Sequence, residues 1–438
     1  MAEEKIQFVE WFRSTSPYIR VHRGKTFVIH IDDHIISSNR FNEFIHDLAL
    51  LNSLEIRLVL AFSTRHSIEK RLGRDDSEMV YHEDIRVTDP EILDIVKDAA
   101  GKLRIDIESA LSMGLGNTPM SNAEVIVSSG NYVRAKPMGI VGGVDYQFTG
   151  TVRSVEINNI NAKLDANEIV LIPPLGYSVT GEAFNLESKS MAQRLAVELQ
   201  ADKLIYLSDI SGLTDEKANL VSHLTALEAE TFLKSPDAID DKVYRLLEHA
   251  VEACMGGVER VHLLDGSIEG ALLQELFLRD GIGTMVSRTS YDELRQATIS
   301  DIAGILELIT PLEEQGILVE RSREKLELEI DNFIVMLRDD VIIGCASLYV
   351  FPEEKAAEAG CLVIHEDYHN FGRGEQLYEM LEQTARRARV SRLFVLTTHA
   401  AHWFLELGFK EGDTADLPVA KQDLYNYKRN SKILFKDI

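Results

Sequence analysis

The stretch from Glu358 to Leu381, EAGCLVIHEDYHNFGRGEQLYEML, holds residue types and spacings suited to chemistry. Leu362, Val363 and Ile364 form a short apolar run whose β-branching suits a buried strand. A polar loop follows with Gly372 and Gly374 in it, and from Glu375 the spacing of Leu377, Leu381, Thr384 and Ala388 predicts a helix. Glycines at a strand-to-helix turn let main-chain N–H groups close on an anion. The helix start adds its own N–H groups and the positive end of its dipole. The stretch reads as a pyrophosphate site in outline, against the plainer alternative of an ordinary turn. Downstream, Arg392–Thr398 reads as another buried strand, and Ala401–Phe409 as a short helix ending in Gly408-Phe409. Cys361 is a nucleophile by type, but its flanks read as buried strand, where a thiol is inert.

Elements that would position these residues alternate along the chain. An amphipathic helix at residues 5–15 precedes strands at Thr26–Ile31 and Arg57–Phe62, with a helix near Arg40–Leu51 between them. A long helix near Pro90–Met113 is followed by a hairpin of Glu124–Ser128 with Tyr132–Lys136 around Gly130-Asn131. Further strands fall at Val152–Ile157, Glu168–Ile172, Lys203–Leu207, Arg260–Leu264 and Thr284–Val286, with helices at Ser188–Leu199, Asp241–Met255 and Gly270–Leu278. Continuous apolar strands alternating with helices predict an open, doubly wound, mainly parallel sheet. The pattern restarts after a linker at 288–295: a helix at Asp301–Gln315, capped by Ser300 or Asp301, and a hairpin of Phe333–Arg338 with Val341–Val350 turning at Asp339-Asp340. The expected division is therefore 1–287, then 296–438 as a smaller mixed α/β domain.

Length and charge narrow the classes. At 438 residues the chain exceeds one typical core. A formal charge of -25 opposes nucleic acid and anionic membrane surfaces, so neither is an expected partner. The three cysteines, Cys254, Cys345 and Cys361, have neither disulfide nor metal-ligand spacing, and no metal is expected. The opening MAEEKIQFVEWF is unlike a signal peptide, and no apolar run approaches the roughly 20 residues that span a bilayer. A reducing cytoplasmic location is the expectation.

In combination, the strand, glycine loop, helix, second strand and Gly-Phe helix end resemble the acyl-CoA core of the GNAT acetyltransferases. That family's loop is Q/R-x-x-G-x-G/A; His369-x-x-Gly372-x-Gly374 keeps both glycines and departs at the first position. Residues 20–287 are similar to the amino-acid-kinase fold. The likeness rests on Gly24-Lys25-Thr26, Gly143-Val144-Asp145-Tyr146, Lys203 to Asp209 with Gly212-Leu213, Glu275-Leu276-Phe277 and Asp280 to Thr284. A working kinase of that fold carries a lysine and paired glycines after its first strand. Ile31-Asp32-Asp33-His34 stands there instead, and Phe62-Ser63-Thr64-Arg65 replaces the second glycine loop. Paired carboxylates repel a nucleotide triphosphate, so the kinase chemistry is expected to be absent. A kinase-like domain fused to an acetyltransferase is the layout of the bacterial N-acetylglutamate synthases. The stretches RGKTFVI, RVTD, SVTGE, SREKLE, RLFVLTT and LYNYKRNSK resemble that family along the whole chain.

That resemblance implies acetyl transfer from acetyl-CoA to the α-amine of L-glutamate, the first step of arginine biosynthesis, with L-arginine as effector and a homo-hexameric assembly. It implies that main-chain groups of Cys361, Leu362, Val363 and Ile364 hold the pantetheine arm and thioester. His369, Gly372, Arg373, Gly374 and Glu375 would hold the pyrophosphate, with the Arg373 charge nearby. Glu358 occupies the family's position for the base. The tyrosine that many GNAT enzymes use as acid is Phe404 here, and Thr397, or water, is the alternative. Arg321 matches the α-carboxylate ligand; Lys421, Arg429 and Ser431 match the side-chain carboxylate clamp. Tyr18, Lys203, Glu275, Gly281 and Gly283 match the effector site, and the N-terminal helix the subunit contacts. The rival readings are a bifunctional synthase-kinase and an arginine-responsive regulator with a decayed transferase fold.

Overall fold

Strands covered on both faces have no polar side, and the continuous apolar runs build such strands at the centre of the first unit. The computed structural model describes residues 2–73, 81–82, 85–113, 125–215, 218–234, 240–278, 281–289, 292–338, 341–369, 372–422 and 431–438. The chain divides into two units, Met1–Thr289 and Ser290–Ile438.

The sheet of the first unit runs, edge to edge, His223–Thr225, Thr284–Ser287, Arg260–Asp265, Lys203–Ser208, Thr26–Ile31, Arg57–Phe62, Ile169–Ile172 and Val127–Ser129. Neighbours are parallel except Arg260–Asp265 with Thr284–Ser287. Alternation along Thr26–Ile31 sends Val28 to one face, among helices Ser188–Glu198 and Asp241–Met255. Phe27, Ile29 and Ile31 go to the other, against Phe41–Ser53, Pro90–Ser112 and Ala271–Phe277. This is the expected doubly wound sheet.

Two local expectations fail. The hairpin around Gly130-Asn131 does not form: Val127–Ser129 pairs in parallel with Ile169–Ile172, while Val133–Pro137 pairs with Thr149–Val155 in a separate closed barrel with Leu175–Tyr177 and Ala183–Leu186. A turn signal is local, whereas the sheet edge at Ile169–Ile172 offers a longer-range partner for main-chain groups that would otherwise go unpaired. The first helix also extends to Ala2–His22, carrying Pro17 inside it, and packs on Ala271–Phe277 through Thr15 and His22.

The second unit is a sheet in the order Glu293–Gln296, Phe333–Arg338, Val341–Phe351, Ala356–Ile364, Arg392–Thr397, Lys432–Asp437 and Lys410–Gly412. Within it the pair Ala356–Ile364 with Arg392–Thr397 is parallel and the others are antiparallel. Helix Arg373–Arg387 covers one face through Leu377, Tyr378 and Leu381; Ile302–Glu314 and Arg323–Glu329 cover part of the other. The Phe333–Arg338 and Val341–Phe351 hairpin is present, with its Asp339-Asp340 tip outside the described residues. Asp301 stands at the N-cap of helix Ile302–Glu314, as expected, but makes no side-chain cap bond to it. It closes a capping box with Thr298 and is gripped by Arg295 at 2.7 and 2.9 Å.

Burial in the first unit has a pH consequence. His30, on the central strand, is fully buried against Ser188 Oγ at 2.9 Å, and His22 is 3 % exposed against Leu276 O. Burial, helped by Lys189 for His30 and Lys203 for His22, pushes each imidazole down to about 3. The unfolded chain, with histidines near 6.5, binds more protons, so stability is full above pH 6.5 and falls toward pH 3. By pH 5 each histidine is expected to cost about 2 kcal/mol. Urea unfolding at pH 7 and pH 5 checks this, and equal midpoints would reject it.

Candidate functional site

In the second unit, parallel pairing joins Ala356–Glu358 to Arg392–Phe394 and then stops, although both strands continue. Arg392–Thr397 stays paired on its far edge with Lys432–Asp437, and Ala356–Ile364 on its far edge with Val341–Phe351. The near edges past Glu358 and Phe394 therefore face a gap between diverging strands. An extended amide chain inserted there could take up main-chain groups from both walls.

A bulge accompanies the opening. Between Cys345–Val363 and Ser347–Gly360 the strand Ala356–Ile364 carries one residue more than its partner, and Cys361 sits at φ 47. The extra residue inverts the alternation. Ala357 and Ala359 face helix Arg373–Arg387, but beyond the bulge Leu362 and Ile364 do, while Cys361 and Val363 turn to the opposite core. Cys361 is 6 % exposed there, and its carbonyl accepts from the Cys345 thiol at 3.6 Å. A nucleophilic role does not fit that burial.

At the end of the same strand, Gly372 takes φ 67 and heads helix Arg373–Arg387 without a side-chain cap. The first intrahelical bond runs from Gln376 N to Gly372 O at 3.0 Å, so the N–H groups of Arg373, Gly374 and Glu375 precede it. A Cβ on Gly374 would stand 3.3 Å from the Trp403 ring, whose Nε1 donates to Glu375 at 3.1 Å. His369 is exposed, its Nε2 2.9 Å from Ile364 O. These features suit a pyrophosphate beside a pantetheine arm in the strand gap. Arg373 is a correction: its guanidinium is not a loop cation but is 4 % exposed and paired with Asp292 at 2.6 Å. The aromatic neighbourhood draws it inward, with Tyr368 5.5 Å below it.

On the face away from helix Arg373–Arg387, four side chains from distant segments converge. Glu358 lies directly across from Tyr349 in the antiparallel register, and opposed residues share a face. Lys421 Nζ meets Glu358 Oε2 at 2.6 Å, the side chains being 23 % and 13 % exposed. Tyr349 donates to Glu329 at 2.7 Å. Burial works against the Arg321 charge, but Cys361, Tyr349 and Glu313 outweigh it and raise its pKa. Arg321 also donates from Nη1 to Val319 O at 2.9 Å. Lys421, expected as a substrate clamp, is thus a partner of Glu358 in this state. Thr397 falls on the strand face of Leu393 and Val395, and its Oγ1 accepts from Ala400 N at 3.0 Å, leaving its own proton out of that bond. Phe404 is buried among Trp403 and Phe409. Ser431 is half-buried, and Arg429 lies outside the described residues. Tyr349 and Trp403 were missed because strand alternation and helix spacing assign both to the core.

In the first unit, four of the five expected effector residues come together. Lys203 Nζ donates to His262 Nε2 at 3.1 Å, and His262 Nδ1 donates to Glu275 Oε1 at 2.6 Å. Glu275 Oε2 accepts from Ile282 N at 2.7 Å and Gly283 N at 3.1 Å. Gly281, at φ 57, has room for no Cβ, which would stand 2.5 Å from that oxygen. Burial and Lys203 outweigh Glu275 and lower His262 to about 4; a neutral imidazole fits both bonds with its proton on Nδ1. Burial pushes the Glu275 carboxyl up, but the bonds from His262, Ile282 and Gly283 win and hold it at about 2. Tyr18, on the first helix, packs on the core that holds Leu276 and Phe277. His262, central here, escaped the sequence reading because RVHLLD shows only an apolar strand.

A cleft of about 570 Å³ opens at the carboxyl ends of Thr26–Ile31, Arg57–Phe62 and Lys203–Ser208, where open α/β sheets place ligands. Its charges are matched internally: Lys189 with Asp32, Lys242 with Asp209, Arg86 with Glu69. Asp33, 2 % exposed, does more than repel. Its carboxylate accepts from Ser67 N at 2.7 Å, His66 N at 3.2 Å and Ser63 Oγ at 2.7 Å, filling the start of helix Arg65–Leu72 where Thr64 makes no side-chain cap. Among the described residues no group of three or more His, Cys, Asp or Glu could hold a metal ion, and no helix is long and apolar enough to cross a membrane.

Comparison with known proteins agrees with this anatomy. Residues 25–265 match the amino acid kinase family and residues 302–409 the acetyltransferase (GNAT) family. The chain is 47 % identical to the amino-acid acetyltransferase of Escherichia coli (strain K12), over 100 % of this chain and 99 % of that one. It is 46 % identical to that of Serratia proteamaculans (strain 568), over 100 % of both. The crystal structure of N-acetylglutamate synthase from Neisseria gonorrhoeae complexed with coenzyme A and L-arginine is 37 % identical, with a TM-score of 0.84 covering 98 % of this chain and 99 % of that one. The same enzyme with coenzyme A and N-acetyl-glutamate is 38 % identical at a TM-score of 0.63 with the same coverage.

The Asp33 cap is testable. Asp33→Ala is expected to destabilise the first unit by about 2–3 kcal/mol, since it strips an ionised cap from two N–H groups and a hydroxyl. A denaturant midpoint equal to that of the parent chain would show the cap to be inert.

Proposed function

From a chain that belongs to the amino-acid acetyltransferase family, joins an amino-acid-kinase fold to a GNAT domain and takes its acetyl group from acetyl-CoA, we infer that the acceptor is L-glutamate. The product is N-acetyl-L-glutamate, on the route to arginine, and L-arginine regulates the reaction through the first domain. One observation carries the reading: Glu358, Lys421, Tyr349 and Arg321 converge beside the strand gap, joining a carboxylate base to cations that fit an acidic amino acid.

Acetyl transfer to an amine needs a positioned thioester, a deprotonated amine and a proton for the departing thiolate. The walls of the strand gap hold the pantetheine arm, and main-chain N–H groups of Gly374 and Glu375 receive the pyrophosphate at the helix start. Main-chain groups of Cys361 to Ile364 steady the thioester oxygen. Glu358 collects the ammonium proton, directly or through water. The freed amine attacks the thioester carbon, the C–S bond breaks, the nitrogen gives up its extra proton to water to leave a neutral amide, and Thr397 or water delivers a proton to sulfur. Arg321 takes the α-carboxylate. Lys421, which Glu358 holds in the resting state, meets the side-chain carboxylate, and Arg429 and Ser431 complete the clamp. No acetyl-enzyme forms.

The first domain carries no phosphoryl transfer in this reading, supported by the internal pairing of its cleft and by Asp33. Arginine binding centres on Lys203 and Glu275, with Gly281, Gly283 and Tyr18 beside them. The support is chemical: an ionised carboxylate suits a guanidinium and an ammonium suits an α-carboxylate. Because Glu275 is already bonded to His262, Ile282 and Gly283, an effector guanidinium must displace part of that set. A hexameric assembly in a cytoplasmic setting completes the proposal, with the long first helix and its exposed Val9 and Val21 available to a second subunit.

Thiol release from acetyl-CoA, followed with L-glutamate and with and without L-arginine, tests the whole. Turnover dependent on glutamate and altered by arginine is expected, and Glu275→Ala should raise the arginine concentration for half effect by about tenfold or more. Turnover with another amine but none with glutamate would overturn the acceptor; an unmoved arginine response in the variant would remove Glu275 from the site. For the base, Glu358→Gln should lower kcat by about 10²–10³ with a smaller change in the glutamate KM. An undiminished kcat would reject the role.

A further inference from the structure

Asp292 lies in the first residues of the second unit, which begins at Ser290 where the other ends at Thr289. Its Oδ2 accepts from Arg373 Nε at 2.6 Å, and the two side chains are 9 % and 4 % exposed. Arg373 stands between the two loop glycines and is the first residue of helix Arg373–Arg387. Its Nη1 also reaches Tyr368 O at 3.4 Å, with the buried Tyr368 ring beneath the guanidinium. The segment that opens the second unit is thus fastened, through a buried ion pair, to the residue whose main chain starts the glycine loop's helix.

Two facts make this pair more than core filling. Gly372 sits at φ 67 and supplies no cap; a glycine moves readily among conformations, so it cannot set the attitude of the helix start by itself. By contrast, helices Pro90–Ser112 and Arg323–Glu329 are steadied by side-chain caps from Asp89 and Ser322. Arg373 also ties that first turn to Asp292, outside the loop, as Glu375 ties it to Trp403. A buried charge tolerates the loss of its partner poorly, so the pair holds its geometry.

We propose that Asp292 is a positioning residue for acetyl-CoA: through Arg373 it fixes the first N–H groups of helix Arg373–Arg387 in the attitude that receives the pyrophosphate. Affinity for the acyl carrier is then set partly by the segment that opens the second unit. The inference rests on reading Gly372-Arg373-Gly374 as the pyrophosphate loop.

The test is calorimetric titration of CoA into the full chain, which needs no knowledge of the acceptor, together with a thermal melt. Asp292→Asn removes the charge at nearly constant volume and is expected to weaken CoA binding by about tenfold. Arg373→Lys, which keeps the charge and loses the fork, should weaken it less, and it serves if the first variant does not fold. Gly374→Val, which crowds Trp403, reports on the loop itself and should weaken CoA binding regardless of Asp292. Weakening by Gly374→Val alone would overturn the proposal and leave the loop reading standing. No weakening by any of the three would overturn both. A lower melting temperature with unchanged CoA affinity in Asp292→Asn would reduce the pair to a structural one and overturn the proposal.

Discussion

Everything the second unit can do depends on two parallel strands that stop pairing. Main-chain N–H and C=O groups inside a protein are almost always bonded, so strands that part must offer those groups to something else. Ala356–Ile364 and Arg392–Thr397 part after Glu358 and Phe394, and each remains tied on its outer edge. The gap is therefore held open by the rest of the sheet. The bulge at Cys361 belongs to the same device. One extra residue swaps the faces of the strand, so that Glu358 and Cys361, three apart, lie on the same side.

The chain uses helix starts in two opposite ways. Both Arg65–Leu72 and Arg373–Arg387 begin with N–H groups that favour an anion, and both lack a cap from their own N-cap residue. In the first, Asp33 supplies the anion from within the chain. In the second, glycines leave the approach clear, and the neighbouring arginine is turned inward to Asp292. The same physics closes one site and prepares the other.

Buried charge in the two candidate sites follows a common pattern: Glu275 and Glu358 each have a bonded partner. Glu275 accepts from His262, Ile282 and Gly283, and the neutral His262 passes between it and Lys203. Glu358 has Lys421. A ligand carrying its own charges can enter such sites only by exchanging partners, which gives each site a resting and an exchanged arrangement.

What the sequence determined by itself is the layering and the loop. Continuous apolar runs such as Leu58–Phe62 and Leu204–Leu207 read as strands buried on both faces, and Gly372 with Gly374 between a strand and an amphipathic helix marks a turn whose main chain an anion can approach. These are properties of neighbours along the chain. The tertiary structure decided what depends on distant partners. Val127–Ser129 left its expected hairpin for a sheet edge reached through Ile169–Ile172. The bulge at Cys361 is visible only in register with Val341–Phe351. Arg373 reads as a loop cation until Asp292, far away in the chain, draws it inside, and Lys421 reads as a substrate clamp until Glu358 meets it. Polar pairs such as these have no period in the sequence, because their geometry comes from the packing of elements and not from the spacing of residues.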